Sequence, residues 1–169
     1  MEKASRTILL MRHAQSVRGG GGLHDFDRPL NECGRNDAPK MGKYLKGLDV
    51  IPDRLVSSPA VRAKETSLAV TKGMGVGEEL IEWNREFYDG GPADYIRAIQ
   101  QADEQYQTVM TVGHNPMIER LIGIFSGEAV RRGVPPATIA CFEAAVGSWG
   151  DIKPGACTLK WLVNPRNVR

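Results

Sequence analysis

The strongest constraint on the fold is a short apolar run near the start of the chain that ends abruptly in two polar residues. Ile8-Leu9-Leu10-Met11 is followed at once by Arg12 and His13. Consecutive apolar residues without alternation predict a strand that is buried on both faces, as in a parallel sheet covered by helices. In open α/β sheets, ligands bind at the carboxyl ends of the strands. Arg12 and His13 are therefore candidate site residues, although a strand that simply ends in solvent would give the same pattern.

The rest of the chain alternates between short strands and amphipathic helices. Further strands are predicted at residues 54–56, 108–112, 138–142 and 156–163, and an extended segment at 79–83. Residues 86–92 are predicted to form a loop. Residues 147–150 are predicted to connect the last two strands as part of a β-hairpin excursion. Helices are predicted from residue 32, from 59 to about 72, over 94–105 and from 116 through 125. This order predicts a three-layer α/β sandwich with a mostly parallel central sheet, flanking helices and an antiparallel late edge strand. Without a repeat or a boundary, residues 1–169 are expected to form a single domain.

Three predicted helices begin with capping signals. Asn31 can cap a helix that begins at Glu32. Ser58-Pro59 places a capping side chain before a proline in the first helical position, and Asn115-Pro116 repeats this arrangement. Pro39 lies within the first helical pattern, where it should kink the helix or mark its true start.

Composition excludes several classes of partner. The chain has 22 Lys and Arg against 20 Asp and Glu, a net charge of +2, which indicates neither a nucleic-acid nor a membrane-surface ligand. We find no apolar run long enough to span a membrane and no apolar region of a signal peptide near the start. The three cysteines lack zinc-binding spacing and are interpreted as thiols in a reducing compartment. The protein is expected to be cytoplasmic.

Cationic and imidazole groups follow three of the predicted strands. Arg12 and His13 follow the first, Arg62 lies in the first turn of the helix after the second, and His114 precedes the helix start at Asn115-Pro116. Helix N-termini at this edge would add unpaired N–H groups, and guanidinium groups match phosphate oxygens. If the strands are neighbours, the site favours a dianionic phosphoryl group.

The same residues resemble the motifs of a known family. Leu10-Met11-Arg12-His13-Ala14 resembles the Arg-His-Gly/Ala signature of the histidine phosphatase superfamily, which includes the phosphoglycerate mutases. Residues 57–66 and Val112-Gly113-His114-Asn115-Pro116 are similar to its second and third motifs. Arg28-Pro29-Leu30, followed by residues 34–42, is similar to the small SixA-like phosphohistidine phosphatases. The motifs occur in order over almost the whole chain.

The resemblance implies a mechanism. His13 would attack phosphorus and form a covalent phosphohistidine, which water then hydrolyses. Arg12, Arg62 and His114 would hold the phosphoryl oxygens, and Arg28 would add a substrate contact. No metal or other cofactor is implied, because the arginines supply the positive charge. A metallohydrolase based on the three histidines would lack a helical ligand spacing such as HExxH.

The general acid is left open. Larger members of the family carry a glutamate that protonates the leaving oxygen, and Glu86 and Asp89 lie in the corresponding region. The local pattern departs from that of the mutases, so either carboxylate is equally a solvated loop residue. A site without a well-placed acid would favour phosphoramidates over phosphate esters, because an imidazole leaving group needs less protonation than an alkoxide.

These observations predict a phosphatase whose partner is a phosphorylated protein carrying phosphohistidine. The alternatives are a phosphatase or mutase of a small metabolite or sugar phosphate, and a non-catalytic phosphoryl-binding module.

Gly19-Gly20-Gly21-Gly22 does not match a phosphate-binding loop motif and is interpreted, together with His24, as a surface loop rather than a gate.

Overall fold

One mixed sheet of six strands forms the centre of the protein in the computed structural model, which describes residues 5–169. The strands are β1 Arg6–Arg12, β2 Arg54–Ser57, β3 Ile81–Trp83, β4 Thr108–Gly113, β5 Ile139–Ala144 and β6 Cys157–Val163. They lie side by side in the order β3-β2-β4-β1-β5-β6. β3, β2, β4 and β1 pair in parallel, whereas β5 is antiparallel to both β1 and β6.

Helices cover both faces of this sheet. The α-helices are α1 Glu32–Gly47, α2 Val61–Met74, α3 Glu86–Asp89, α4 Pro92–Gln100 and α5 Met117–Ser126. Single 3₁₀ turns occur at Asp25–Asp27, Glu78–Leu80, Trp149–Asp151 and Pro165–Asn167. The predicted α/β sandwich with a mostly parallel sheet is confirmed, and the late antiparallel strand is β5, with β6 outside it. Within residues 5–169, none of the helices combines the length and apolar character needed to cross a membrane.

β1 is the central strand, and its alternating side chains belong to two cores. Leu9 and Met11 pack with residues of α1 and α2 on one face. Ile8 and Leu10 pack with residues of α4 and α5 on the other. All four side chains are fully buried. A strand buried on both faces must be apolar at every position, which explains the continuous run in the sequence.

The start of α2 differs from the prediction. The helix begins at Val61 with Ala60 in the capping position, two residues later than the predicted start at Pro59. Ser58 does not cap it, because its Oγ accepts a hydrogen bond from the Ala60 amide at 3.2 Å and so closes a local turn. The Ser58 side chain is thereby left facing His114.

The start of α5 is also displaced, by one residue. The helix begins at Met117 with Pro116 in the capping position, and the Asn115–Pro116 peptide bond is cis. Asn115 contributes through its side chain, because its Oδ1 accepts from the Glu119 amide at 3.2 Å. The predicted cap at Asn31 is confirmed, since its side chain accepts from Gly34 at 2.9 Å.

The segment predicted as a loop followed by a helix over 94–105 is organised differently. Residues 86–89 form the short helix α3, and α4 starts at Pro92 because the Asp94 carboxylate accepts from the Gly91 amide at 2.8 Å. The helix ends at Gln100, and Asp103 then accepts from the Gln105 amide in a side-chain turn that competes with further helix. Similarly, a 3₁₀ turn at Trp149–Asp151 rather than plain loop joins β5 to β6.

α1 and α2 pack closely at glycines. α1 starts at Glu32 and continues through Pro39, so that proline does not mark the start of the helix. A Cβ on Gly42 would lie 2.3 Å from the Val70 carbonyl oxygen of α2, and one on Gly73 would lie 2.4 Å from the Pro39 carbonyl oxygen. The two backbones therefore approach more closely than any side chain would allow.

This contact predicts opposite effects for two glycines of α1. Gly42→Ala should reduce the free energy of unfolding by about 1–3 kcal/mol, because the methyl group overlaps a backbone oxygen. Gly47→Ala should leave stability unchanged or raise it by up to about 1 kcal/mol, because a Cβ there meets nothing within 4 Å. Urea denaturation of both variants tests the contact, and equal effects would contradict it.

Candidate active site

Three neighbouring parallel strands end at the same level, and this brings three polar side chains together. β2, β4 and β1 are followed by Ser58, His114 and His13, respectively. Backbone hydrogen bonds continue beyond the strands, from the His13 amide to the Gly113 carbonyl at 2.9 Å and from the Ser58 amide to the Val112 carbonyl at 3.1 Å. His114 therefore lies between Ser58 and His13 at the carboxyl edge of the sheet.

His13 has a defined tautomer. Its Nδ1 lies 2.7 Å from the carbonyl oxygen of Ala14. A carbonyl oxygen only accepts hydrogen bonds, so Nδ1 carries the proton and Nε2 of the neutral ring keeps its lone pair. The Ala14 amide in turn donates to Thr66 Oγ1 at 3.0 Å, which ties this residue to α2. His13 is thus held with an unprotonated nitrogen available to an electrophile.

Burial keeps both histidines of the cluster neutral. Burial, together with the nearby His114, Arg62 and Arg12, lowers the pKa of His13 to about 3, against an opposing hydrogen bond to Ala14. Burial also lowers the pKa of His114 to about 4, with Arg62 the largest charged contributor. The two rings lie 5.1 Å apart between centroids. At neutral pH the site therefore contains two uncharged imidazoles among cationic side chains.

The two arginines predicted for the site have buried donors without partners. Arg12 Nη1 donates to the Val134 carbonyl at 2.6 Å, and Arg62 Nη1 donates to the Asp25 carbonyl at 2.6 Å. Arg12 Nε, Arg62 Nε and His114 Nδ1 are buried and have no hydrogen-bond partner among residues 5–169. Buried donors in proteins are nearly always paired, so a cluster of three unpaired nitrogens indicates a site for an acceptor-rich ligand.

Asp25 is the site residue that the sequence analysis missed. Its carboxylate accepts from Arg62 Nη2 at 3.0 Å, from Arg28 Nε at 3.0 Å and from the Tyr88 hydroxyl at 2.9 Å. Tyr88 also packs edge-on against His114, with ring centroids 5.6 Å apart. An Asp three residues before Arg28 is the only signal in the sequence, and it does not show that Arg62 and Tyr88 converge on the same carboxylate.

The surrounding donors hold Asp25 ionised. Burial alone would raise the pKa of Asp25, but hydrogen bonds from Tyr88 and Arg62 and the charges of Arg62 and Arg28 lower it to about 2. Arg28 is additionally held by Ser16 and by the Val17 carbonyl at 2.8 Å. In this conformation the Asp25 carboxylate binds the guanidinium groups of Arg28 and Arg62, which the sequence analysis assigned to phosphate binding.

The candidate acids lie beside the cluster and are held by other arginines. Glu86 is exposed and its carboxylate lies 2.9 Å from Arg97 of α4. Asp89 forms an ion pair with Arg85 at 2.9 Å. Within the described chain, no hydrogen bond joins either carboxylate to Arg12, His13, Arg62 or His114. The structure therefore brings the arginines and histidines together and leaves Glu86 and Asp89 at the periphery, next to Tyr88.

The glycine-rich segment is an exposed turn. Gly20, Gly21 and Gly22 have positive φ angles of 121°, 64° and 82°, and a Cβ on any of them would meet nothing within 4 Å. This surface position agrees with the interpretation as a loop. His24 is exposed at the end of this turn, directly before the 3₁₀ turn that carries Asp25.

This arrangement is suited to phosphoryl chemistry without a bound metal ion. Guanidinium groups and an N–H donor can hold the phosphoryl oxygens while an imidazole lone pair approaches phosphorus. In the part of the chain that the structure describes, no group of three or more His, Cys, Asp and Glu side chains has the geometry of a metal site.

Comparison with known proteins identifies the family. The model of the histidine phosphatase superfamily (branch 1) matches residues 8–111, and the chain therefore belongs to this superfamily. Within the superfamily it is a SixA-like phosphatase. It is 26% identical over 164 residues to the phosphohistidine phosphatase SixA of Escherichia coli, covering 96% of both chains. A structure from Agrobacterium tumefaciens, of a protein assigned as a SixA phosphohistidine phosphatase, has 27% identity and a TM-score of 0.79 over 94% of this chain and 98% of that one.

A plant protein extends the group of relatives. The chain is 30% identical over 173 residues to an uncharacterised chloroplastic protein of Arabidopsis thaliana, covering 95% of this chain and 78% of that protein. The predicted superfamily, branch and enzyme class are thus confirmed. The substrate of this enzyme is phosphorylated, and the alternative of a phosphoryl-binding module without catalytic activity is not favoured.

The lowered pKa values predict a stability that depends on pH. Both histidines have folded pKa values below their ordinary value of 6.5, so the unfolded chain binds protons that the folded protein does not. Their contribution to stability is complete above pH 6.5 and is lost as the pH falls toward 4 and then 3. We expect the melting temperature to decrease over this range.

The source of this decrease can be assigned by mutation. In a His13→Gln/His114→Gln double variant, the melting temperature should depend less steeply on pH between 6.5 and 4. NMR titration should show both imidazoles neutral at pH 5.5. A midpoint near pH 6.5 for either ring, or an unchanged slope in the double variant, would contradict the assignment.

Proposed function

We propose that this phosphatase hydrolyses protein phosphohistidine through a covalent intermediate on His13. The Nε2 lone pair of His13 forms a bond to phosphorus while the bond from phosphorus to the substrate nitrogen breaks. The electron pair of the broken bond stays on the departing imidazole, which takes up a proton from water. A water oxygen then bonds to phosphorus, the bond from phosphorus to His13 Nε2 breaks, and inorganic phosphate leaves. The observation that carries this proposal is the hydrogen bond from His13 Nδ1 to the Ala14 carbonyl, which leaves Nε2 unprotonated.

The remaining residues of the cluster are proposed to bind the phosphoryl oxygens. Arg12, Arg62 and His114 have unpaired, buried N–H or nitrogen atoms around His13, where negative charge is redistributed during transfer. Arg28 is proposed as a further substrate contact, because it donates to the same Asp25 carboxylate as Arg62 does. Fixed donors in a buried site stabilise such charge more strongly than water-exposed ones would.

Substrate entry requires a change at Asp25. Its carbonyl and carboxylate oxygens accept hydrogen bonds from Nη1 and Nη2 of Arg62, and a phosphoryl group needs the same two donors. We therefore propose that the turn containing Asp25 moves away when substrate binds. This 3₁₀ turn contains no buried residue and is not part of the sheet, which supports such a movement.

The position of Glu86 supports a nitrogen–phosphorus substrate. An alkoxide leaving group needs a proton from a general acid, and such an acid contributes about 10²–10⁴-fold to rate. Glu86 is exposed and paired with Arg97 in this structure, and Asp89 is paired with Arg85. The likeness to SixA of Escherichia coli, a phosphohistidine phosphatase, supports the same substrate class. Both carboxylates remain candidates for the acid in the hydrolysis of esters.

The covalent step predicts a trapped phosphoenzyme. After incubation with phosphoramidate and rapid quenching, intact-mass analysis should show one added phosphoryl group, stable to alkali and labile to acid. The modification should map to His13 and be absent from His13→Asn. His24→Asn changes an exposed histidine outside the cluster and serves as the matched control, which should be labelled normally. A stable label on any other residue, or phosphate release without a phosphoenzyme in quenched samples, would argue against the mechanism.

The location of the acid predicts a substrate preference. Turnover of a phosphohistidine peptide should exceed that of an alkyl phosphate by at least about 10²-fold. Glu86→Gln and Asp89→Asn should each change phosphohistidine turnover by less than about threefold. Comparable turnover of both substrates would contradict this preference, and a large loss in Glu86→Gln alone would identify Glu86 as the acid.

We further propose that the enzyme works in a reducing compartment, as expected for cytoplasm. The three cysteines are free thiols, and burial raises the pKa of both Cys141 and Cys157 to about 11. Unreactive, unpaired thiols support this assignment. The single sheet, whose strands extend from residue 6 to residue 163, supports a single domain over residues 1–169.

A further inference from the structure

Ser58 is a fully buried serine whose hydroxyl group contacts a site histidine. Its Oγ lies 2.8 Å from Nε2 of His114. The same oxygen accepts a hydrogen bond from the Ala60 amide at 3.2 Å. The Ser58 side chain has no exposed surface, so bulk water does not reach its hydroxyl group. Both contacts follow from the positions of these residues at the ends of neighbouring strands.

Hydrogen-bond accounting fixes the direction of the contact. A backbone amide only donates, so Ser58 Oγ is the acceptor toward Ala60, and its own hydroxyl proton still needs an acceptor. Within residues 5–169 the only acceptor hydrogen-bonded to that hydroxyl is His114 Nε2. Buried hydroxyl protons are rarely left unpaired, because an unsatisfied donor costs about 1–3 kcal/mol. Ser58 is therefore the donor, and Nε2 of His114 is the unprotonated nitrogen.

A neutral imidazole protonates only one nitrogen, so the proton of His114 must then be on Nδ1. This is the atom that is buried without a hydrogen-bond partner. With the proton on Nδ1, His114 offers a phosphoryl oxygen a donor. With the opposite tautomer, Nδ1 would offer a lone pair, which repels the oxygens of a dianion. In water a neutral imidazole side chain prefers the proton on Nε2, so the protein must impose the other form.

We propose that Ser58 is a positioning residue that holds His114 in the Nδ1–H tautomer and so makes a neutral imidazole a donor to the phosphoryl group. The inference rests on the proposed function in one respect, that a phosphoryl group meets His114. Ser58 does not touch the substrate, and its effect passes entirely through the imidazole ring.

The chain offers a matched control next to Ser58. Ser57 is also fully buried, and its hydroxyl donates to the Ser58 carbonyl and accepts from Ser67 at 2.8 Å. Ser57→Ala removes the same hydroxyl group from the same turn without touching His114. The two alanine variants thus separate a loss of turn stability from a loss of tautomer control.

The test is long-range ¹H–¹⁵N correlation NMR of the His114 ring at pH 7, in the wild type and in Ser58→Ala and Ser57→Ala. In the wild type and in Ser57→Ala, Nδ1 should be protonated and Nε2 unprotonated. In Ser58→Ala the proton should move to Nε2. A wild-type ring protonated on Nε2 would overturn the inference directly, and this measurement remains decisive even if Ser58→Ala does not fold.

Ligand affinity gives a second readout. Orthovanadate should bind Ser58→Ala about 10–100-fold more weakly than the wild type, the range expected for one hydrogen bond to a charged group, and Ser57→Ala within about threefold of the wild type. Ser58→Thr keeps the hydroxyl group and should restore both the tautomer and the affinity. Unchanged affinity in Ser58→Ala despite a changed tautomer would overturn the role in phosphoryl binding. A missing phosphoenzyme on His13 would refute the proposed function alone and leave the tautomer result intact.

Discussion

The common end point of three parallel strands is the constraint on which the candidate site depends. Backbone hydrogen bonds from His13 to Gly113 and from Ser58 to Val112 carry the pairing past the last residues of the strands. Three side chains are thereby placed next to one another by the sheet itself. The apolar side chains of β1 are buried between two helical layers, and this burial fixes the position at which β1 ends and His13 begins.

Two identical side chains acquire different chemistry from their hydrogen-bond partners. The carbonyl of Ala14 accepts from Nδ1 of His13 and leaves the lone pair of that ring on Nε2, the property of a nucleophile. The hydroxyl of Ser58, in our proposal, donates to Nε2 of His114 and leaves that ring with its N–H on Nδ1, so that the ring is a hydrogen-bond donor to phosphoryl oxygens. Burial supports both assignments, because it keeps the rings neutral, and only a neutral imidazole distinguishes its two nitrogens.

The sequence was sufficient for the features that depend on local pattern and strand order. The buried strand β1, the positions of Arg12, His13, Arg62 and His114 at strand ends, and the sandwich architecture follow from apolar runs and from the geometry of parallel sheets. The contacts of Asp25 were not predictable, because its partners Arg62 and Tyr88 lie far away in the chain. Short-range preferences also gave the wrong role to Ser58, whose capping tendency at α2 was overridden by a turn and by His114.

The internal carboxylate of Asp25 has a consequence for selectivity among small anions. Any anion that enters from solution must displace a group that is already bound to Arg62, Arg28 and Tyr88 and is covalently part of the chain. Because Asp25 is part of the chain, its effective concentration at the guanidinium groups does not depend on dilution. Weakly charged ions therefore compete poorly with it for these groups. Inorganic phosphate formed in the reaction meets the same competitor as it dissociates. If the Asp25 turn moves as we propose, its return to the guanidinium groups would favour release of inorganic phosphate.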